Sequence, residues 1–485
     1  FLKKEKQVLV LIPEIALSKQ WINRFKDIFG FQPFIWNSEV KNSKKKEIWQ
    51  ASIRGDPLVL VGARSSIFLP FSNLGIIIID EENDISYKQQ EKIIYNARDM
   101  AIVKSKITKA KLLLISATPS LETFYNCKIK KYNSVILNKR FGAANDPKIK
   151  LIDMKFNYNK IFANDTSNIL KEKVKNGNQV LILINKRGYA PITICSKCGE
   201  KETCSNCDIN LVFHKSKEKL VCHHCGAYKN IKNVCGSCKA VNSKINLGYG
   251  IEKVAIEVKK MFKSYEIVTL SSDTIKKENF SEILKEIESG KIRIIIGTQI
   301  ISKGFNFLKL NSVFILDFDI WFNNCDIRTN EKIFQLTQQV SGRTSRKSMT
   351  GEVFIQTYDV KNYLLEMLKL NKRNIFYQNE LALRKKIMLP PYYRLIAIIL
   401  LGKDVKFLRK LSFKLKMILE EYKELILLGP IPAPVEFIRN EYRYRILIKT
   451  NQPFFAQKIL KSINFNKLSV NKVRIKIDVD PVSFF

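Results

Sequence analysis

Asp80 and Glu81 follow a run of isoleucines at 76–79 and are followed in turn by Glu82 and Asn83. Two adjacent carboxylates can divide the work of nucleotide hydrolysis. The first holds Mg²⁺, usually through water, and the second orients or deprotonates the water that attacks the γ-phosphate. The competing reading is a solvated strand end whose acid caps the next helix. The chemistry needs the pair at an exposed edge on a rigid support. An apolar run without alternation supplies one, because it fits a strand covered on both faces, as in a parallel sheet flanked by helices. Ligands gather at the C-terminal strand ends of such sheets.

Eight of the ten cysteines form Cys-x-x-Cys pairs: Cys195/Cys198, Cys204/Cys207, Cys222/Cys225 and Cys235/Cys238. Thiolates at this spacing suit tetrahedral Zn²⁺, and a chain without a secretory leader is read as cytoplasmic, where disulfides do not persist. The pairs can be shared between two sites in three ways. Joining Cys198 to Cys204 in one site leaves a five-residue connection, tight for two rigid knuckles. The nested division puts Cys204/Cys207 with Cys222/Cys225 across a ribbon-length loop and leaves Cys195/Cys198 with Cys235/Cys238 at its base. His214, His223 and His224 are then spare and read as solvent or DNA contacts. Cys127 and Cys325 read as small buried hydrophobes.

Further tracts repeat the pattern of a strand running into polar residues: Pro13-Glu14-Ile15-Ala16-Leu17-Ser18, Val61-Gly62-Ala63-Arg64-Ser65-Ser66 and Ser116-Ala117-Thr118-Pro119-Ser120. A second series gives Gly297-Thr298-Gln299 and then Ser302-Lys303-Gly304. Gly and Ser follow strands for reasons of turn geometry alone, but several such tracts in register point to one binding edge. Gln339-Val340-Ser341-Gly342-Arg343-Thr344-Ser345-Arg346 places two arginines i, i+3 on a helical face. Their fixed fork of donors suits a polyanion, and one of them can act as an arginine finger on the transferring phosphate. The stretch 86–99 interleaves Tyr87 and Tyr95 with Lys88 and Arg98, types that stack on bases and meet phosphates. A surface loop with two half-buried tyrosines is the alternative. Near the C-terminus Arg439, Arg443 and Arg445 alternate with Tyr442 and Tyr444, which on a strand puts one type on each face.

The elements that must position these residues are legible as apolar runs. Strands are expected at 7–12, 58–61, 74–80 and 112–115, and in a second series at 179–184, 266–270, 292–296, 313–317 and 353–357. At 485 residues the chain is too long for one core and should hold about three domains. We place a first α/β lobe at 1–150, a second at 151–360 with the Cys-rich insertion 195–238, and a small α+β domain at 361–485. No apolar stretch approaches the roughly 20 residues that a membrane span requires. The formal net charge of +38 fits a polyanionic partner. Part of that charge is background, since lysine outnumbers arginine by more than three to one amid plentiful Ile and Asn.

These tracts resemble the primosomal protein N′ family, the bacterial replication-restart DNA helicases of superfamily 2. The likeness extends to Leu183-Ile184-Asn185-Lys186-Arg187-Gly188-Tyr189-Ala190-Pro191, Cys222-His223-His224-Cys225, Asp317 and Asp319 before Asp326-Ile327-Arg328, and Asp478-Val479-Asp480-Pro481, and so covers essentially all of the chain. It implies two RecA-like parallel-sheet helicase lobes, a double-zinc insertion of two four-cysteine sites in the second, and a small α+β C-terminal DNA-binding domain. The activity implied is ATP-dependent 3′-to-5′ unwinding that recognises stalled or branched forks and initiates primosome assembly. Single-stranded and forked DNA, other primosome proteins and single-strand-binding proteins are the implied partners, with no membrane.

Residue by residue, the resemblance makes Asp80 and Glu81 the Mg²⁺ and water-activating pair, and 116–118 the tract that couples hydrolysis to DNA. Gly297, Thr298, Gln339, Arg343 and Arg346 would meet ATP. Tyr87, Lys88, Tyr95, Arg98 and Lys303 would meet DNA, the first four in an aromatic-rich sensing loop. Both zinc ions would be structural and nested as above. Asn83 and Asn96 stand where the family carries histidine. No Gly-x-x-x-x-Gly-Lys-Ser/Thr occurs in the sequence, which opens at Phe1 and enters a strand almost at once. The family's phosphate loop precedes the strand that starts at Gln7, so the chain is expected to match the rear two-thirds of its relatives. The alternative function is an ATPase-deficient, zinc-containing DNA-binding or scaffold module.

Overall fold

The computed structural model describes residues 1–485 except 14–18, 138–145, 156, 158–159, 185–191, 215–217, 223–224, 226, 231–233, 272–279, 300–306, 308, 324–325, 345–350, 466–472 and 484–485. Within elements, the side chains of 19–20, 207–209, 246–247, 281 and 323 are also outside the description. The expected sites at Lys303 and Arg346, and the tract 14–18, lie outside the described residues. The described residues form two compact units, one within 1–134 and one within 135–485.

The first unit contains β1 (Gln7–Leu11), β2 (Phe34–Trp36), β3 (Val59–Gly62), β4 (Leu74–Ile79), the short hairpin β5 (Lys88–Gln89) and β6 (Tyr95–Asn96), and β7 (Lys111–Leu114). Its sheet is parallel throughout, in the order β2-β3-β1-β4-β7. The β-branched and leucine runs fill both faces. Leu9, Leu11, Leu60, Ile77 and Ile79 pack with Ile48, Ala51, Ala97 and Ala101 on one side. Val8, Ile12, Val59 and Val61 pack with Trp21 and Phe25 on the other. The isoleucine run is therefore a central strand, with Ile77 and Ile79 fully buried and Ile76 and Ile78 half-buried. Local chemistry sets the helix ends. Asn96 caps Ala97–Thr108, Ser120 caps Leu121–Lys128, and Gly55 ends Asn42–Arg54 at φ 83°.

The second unit begins with β8 (Lys148–Asp153) and β9 (Gln179–Leu183). The Cys-rich insertion follows, with β10 (Ile192–Cys195), β11 (Thr203–Cys204), β12 (Cys207–Asn210), β13 (Val212–His214), β14 (Lys219–Val221), β15 (Tyr228–Asn230) and β16 (Lys244–Leu247). The lobe resumes with β17 (Ile267–Leu270), β18 (Ile294–Gly297), β19 (Leu310–Ile315) and β20 (Glu352–Thr357), giving a parallel sheet in the order β17-β18-β9-β19-β20-β8. The boundary expected at 150 falls inside β8, which pairs with β20. That strand alternates Lys-Ile-Lys-Leu-Ile-Asp at the sheet edge, so it lacks the dense apolar run that marks its neighbours.

The chain ends with β21 (Arg394–Gly402), β22 (Ile426–Ile438), β23 (Glu441–Thr450) and β24 (Arg474–Val479) in an antiparallel sheet covered by the helices Val405–Glu420 and Phe455–Ser462. The insertion extends this sheet. Cys207 pairs with Ile438, and the Asn440 amide donates to the Asn206 carbonyl at 3.1 Å, so β11 and β12 continue the order β22-β23-β21-β24. Among the described residues, no helix is long and apolar enough to cross a membrane.

Candidate functional site

In the first unit, β4 delivers Asp80 and Glu81 to the C-terminal sheet edge as the sequence suggests, both half-buried. The turn is tight: Glu81 sits at φ 47°, its amide takes Asp80 Oδ1 at 3.0 Å, and the Asp84 amide reaches the Glu81 carbonyl at 2.8 Å. A left-handed non-glycine residue is strained and must be held by its surroundings. Tyr87 helps to hold it. This side chain is 1% exposed and donates its hydroxyl to the carbonyls of Asp80 at 2.6 Å and Leu11 at 3.0 Å. Burial, reinforced by Asp80, pushes its phenol well above the usual range.

The acidic turn is tied to 116–120. Ser116 Oγ donates to Asn83 Oδ1 at 2.9 Å and accepts from the Thr118 amide at 3.0 Å. Glu82, 2% exposed, accepts from the Ser120 amide at 2.6 Å and from Ser120 Oγ at 3.1 Å. Arg98 completes the cluster through Nη1, 3.1 Å from Glu82 Oε2 and 2.8 Å from Ser120 Oγ, while its Nε donates to Asp99 at 3.0 Å. Burial pulls the guanidinium down, but Asp99, Glu82 and Glu122 reverse the effect and hold it charged.

Three expected DNA contacts are thereby corrected. Tyr87, Lys88 and Arg98 are not a solvent-facing row: Tyr87 and Lys88 are buried, and Arg98 is bound to carboxylates. Tyr95 stays half-buried with its ring edge-on to Phe68 at 4.8 Å. Asn96 accepts from the Arg98 amide at 3.0 Å as a helix cap, a task an aspartate or serine could also perform. A groove of about 360 Å³ opens beside these residues, lined among others by Trp36, Asn37, Lys45, Arg64, Ser65 and Gln89. Arg64 is fixed to the Ser86 carbonyl at 3.1 Å. Gly62 leaves room for the turn after β3, since a Cβ there would meet Ser66 Oγ at 2.6 Å. Trp36 and Lys45 were missed in the sequence because the strand beside them is only three residues long.

In the second unit, Gly297 ends β18 and Thr298 follows it, its amide on the Leu270 carbonyl at 3.3 Å. Gln339 lies near the end of the helix Thr329–Ser341, and Arg343 follows, its amide on the Val340 carbonyl at 3.0 Å. At the same sheet edge Asp317 accepts from the Tyr249 hydroxyl, and Asp319 takes Thr357 Oγ1 at 2.7 Å and the Tyr358 amide at 3.0 Å.

The cysteines assemble in the nested way. Cys195, Cys198, Cys235 and Cys238 bring their sulfurs within 4.8 Å of one another, with 3.6 Å between Cys195 and Cys238 and 3.7 Å between Cys198 and Cys235. These are not disulfide distances. Four sulfurs about 2.3 Å from one Zn²⁺ stand about 3.8 Å apart in a tetrahedron, so the set fits that ion. The Ser243 hydroxyl, 3.2 Å away, holds the Cys195 thiol down at about 6, toward the thiolate a metal requires. Cys204, Cys222 and Cys225 form the second cluster. The Cys207 side chain lies outside the described residues, but β12 brings its backbone opposite Cys204. His214 is neither a solvent nor a DNA contact. It is 7% exposed, with Nδ1 2.9 Å from Glu252, which joins the insertion to the helix Ile251–Met261. His223 and His224 lie outside the described residues.

The C-terminal alternation also holds. Tyr442 and Tyr444 join the core beneath the helices, and Arg443 and Arg445 alternate with them along β23, while Arg439 lies in the turn before that strand. Arg445 is not solvated there: it is 6% exposed, and burial, with Arg443 nearby, lowers it to about 10.

Four family profiles match the chain. They are the DEAD/DEAH box helicase at 1–126, the PriA DNA helicase Cys-rich region at 204–229, the helicase conserved C-terminal domain at 226–348 and the primosomal protein N C-terminal domain at 385–482. The replication restart protein PriA of Rickettsia prowazekii is 41% identical across 100% of this chain and 75% of its own length. Those of Bacillus subtilis and Haemophilus influenzae are 34% and 35% identical across 99% of this chain, which spans 61% and 66% of them. A solved structure of RecG bound to a three-way DNA junction superposes with a TM-score of 0.43 at 14% identity, over 78% of this chain and 40% of that one. With two parallel-sheet helicase lobes, a nested Cys-rich insertion and this identity over its whole length, the chain belongs to the PriA family of replication restart proteins and is a superfamily 2 DNA helicase.

Proposed function

We propose that the chain acts in ATP-dependent 3′-to-5′ unwinding of DNA at stalled or branched forks and begins primosome assembly there. The observation that carries this reading is the tie from the acidic turn to the following tract, through Asn83 and Ser116 at 2.9 Å. A movement at the hydrolytic carboxylates is transmitted directly to the tract that couples to DNA.

In this reading Asp80 holds Mg²⁺ and Glu81 orients the attacking water, while Gly297, Thr298, Gln339, Arg343 and Arg346 meet the nucleotide. The metal, when bound, neutralises charge on the β- and γ-phosphates. Cys195, Cys198, Cys235 and Cys238 hold one Zn²⁺, and Cys204, Cys207, Cys222 and Cys225 a second. Both are closed four-thiolate sites that stiffen the insertion. The groove beside Arg64, with Trp36 and Lys45, offers a ring face and cations to a single strand. Tyr95 and Lys303 remain candidate contacts to the same strand, and 361–485 acts as a DNA-binding domain. Forked and single-stranded DNA, primosome proteins and single-strand-binding proteins are the partners.

The test is ATP hydrolysis and fork unwinding by the intact protein, with Glu81→Gln beside it. Glu81→Gln is expected to lose hydrolysis by about a hundredfold or more while still binding forks. A native protein that binds forks and zinc without hydrolysing ATP would be the ATPase-deficient zinc-containing module instead.

A further inference from the structure

The helix Thr329–Ser341, which carries Gln339 and runs into Arg343, is gripped near its start by the segment leading into the C-terminal domain. Glu331 is 3% exposed and accepts from Arg384 Nη2 at 2.9 Å and Arg328 Nη1 at 3.2 Å. Arg384, 2% exposed on the helix Arg373–Lys386, also donates to the carbonyls of Ile327 and Pro390, each at 3.3 Å. One turn further along, the Phe334 ring lies flat on Phe376, with centroids 4.1 Å apart and planes 6° apart. Lys332 reaches the Val482 carbonyl at 3.0 Å, and Ile327 packs with Leu389, Leu395, Ala397 and Leu447 of the C-terminal domain.

A buried ion pair is weak evidence for stability, but it fixes geometry, because a partner that moves away leaves the other a buried charge with fewer partners. Here the arrangement is specific. One guanidinium spans a carboxylate on the helix, a carbonyl before that helix and a carbonyl after its own helix, so a rotation of either helix breaks it. We propose that Arg384 is a positioning residue. It holds Glu331, and through it the helix Thr329–Ser341, at the angle that aims Arg343 at the transferring phosphate, so that the C-terminal domain is coupled to hydrolysis. This rests on Arg343 meeting the nucleotide as proposed above.

The test measures DNA-stimulated ATP hydrolysis by the intact protein carrying Arg384→Gln, Arg384→Lys, the double change Arg384→Gln/Glu331→Gln, or Arg343→Ala. Arg384→Gln should lower kcat by about tenfold with KM for ATP and affinity for single-stranded DNA within about twofold of native, and Arg384→Lys should restore part of the loss. If Arg384→Gln does not fold, the double variant, from which both charges leave together, is judged by the same values. A kcat within about twofold of native in the folded variant, or a loss seen in KM alone, overturns the positioning role provided Arg343→Ala is inactive. An active Arg343→Ala instead removes the reading beneath it.

Discussion

Arg98 and Glu82 form an ion pair at 3.1 Å in which the glutamate side chain is wholly buried and the arginine nearly so. Removing the cation leaves a buried carboxylate whose charge is uncompensated, with the Ser120 amide and hydroxyl as its remaining donors, the situation in which a broken buried pair costs roughly 3–5 kcal/mol. Arg98→Ala should therefore destabilise the first unit by that order in urea unfolding. A loss below about 1 kcal/mol, accompanied by a large loss of DNA affinity, would return Arg98 to the role of an exposed phosphate contact.

Tyr87 makes a related point about the acidic turn. Its hydroxyl satisfies two buried carbonyls, those of Leu11 and Asp80, and the second belongs to the first of the two carboxylate residues. Tyr87→Phe keeps the ring in the core and removes the hydroxyl donor to the Asp80 carbonyl, while the Leu11 carbonyl keeps the Asp80 amide at 3.0 Å, and this should cost about 1–3 kcal/mol. Thermal unfolding of the variant would read this. If Tyr87 stacked on bases, the substitution would leave stability unchanged.

The acidic edge and the zinc nesting were legible because each is written locally. An unbroken run of β-branched isoleucines fits a covered strand, and the residues after it then emerge at its end. Four thiolate pairs on short tethers have few closed arrangements. Arg98 and Tyr87 were misread because basic and aromatic residues in a loop look alike whether they face a base or a core. Glu82 and Leu11, which decide the matter, are brought in by the sheet. The pairing of Cys207 with Ile438 was not legible either, since a strand that joins a sheet from a distant segment leaves no periodicity of its own. Arg445 followed the expected alternation, yet the face it occupies is closed by residues that the strand pattern does not mention.

Lys104 gives the first unit a dependence on pH. Its ammonium donates to the carbonyls of Ile67 at 2.8 Å and Leu69 at 2.6 Å above the Phe71 ring, and burial lowers its pKa to about 8. The neutral amine still has two hydrogens for the two carbonyls, so deprotonation keeps both bonds. The unfolded chain holds this proton up to about pH 10.5. Between about pH 8 and 10.5 it therefore binds more protons than the folded one, and stability rises with pH across that window. Urea midpoints of the native protein should show the rise, and Lys104→Met should remove that contribution. Parallel pH slopes in the two proteins would refute it.

Zinc removal should reach beyond the insertion. Ile438, at the tip of the β22–β23 hairpin, packs into the cluster formed by Cys204, Leu211, Phe213, Leu220 and Cys222, so the second thiolate set and the hairpin share a core. Structural zinc commonly supplies about 10–16 kcal/mol of apparent folding free energy to a small ribbon. That is far more than the short strands β11 to β15 could provide from their own apolar contacts. The intact protein should carry two zinc ions by native mass spectrometry. Chelation should then abolish amide protection from β10 to β16 and weaken it at Ile438 and Asn440, where the hairpin meets the insertion, while β9 and β17 to β20 stay protected by their own sheet. Equal protection of the hairpin with and without zinc would mean that the hairpin does not depend on β12. In that event the insertion would fold against a hairpin already formed, and cysteine substitutions would disturb the ribbon alone.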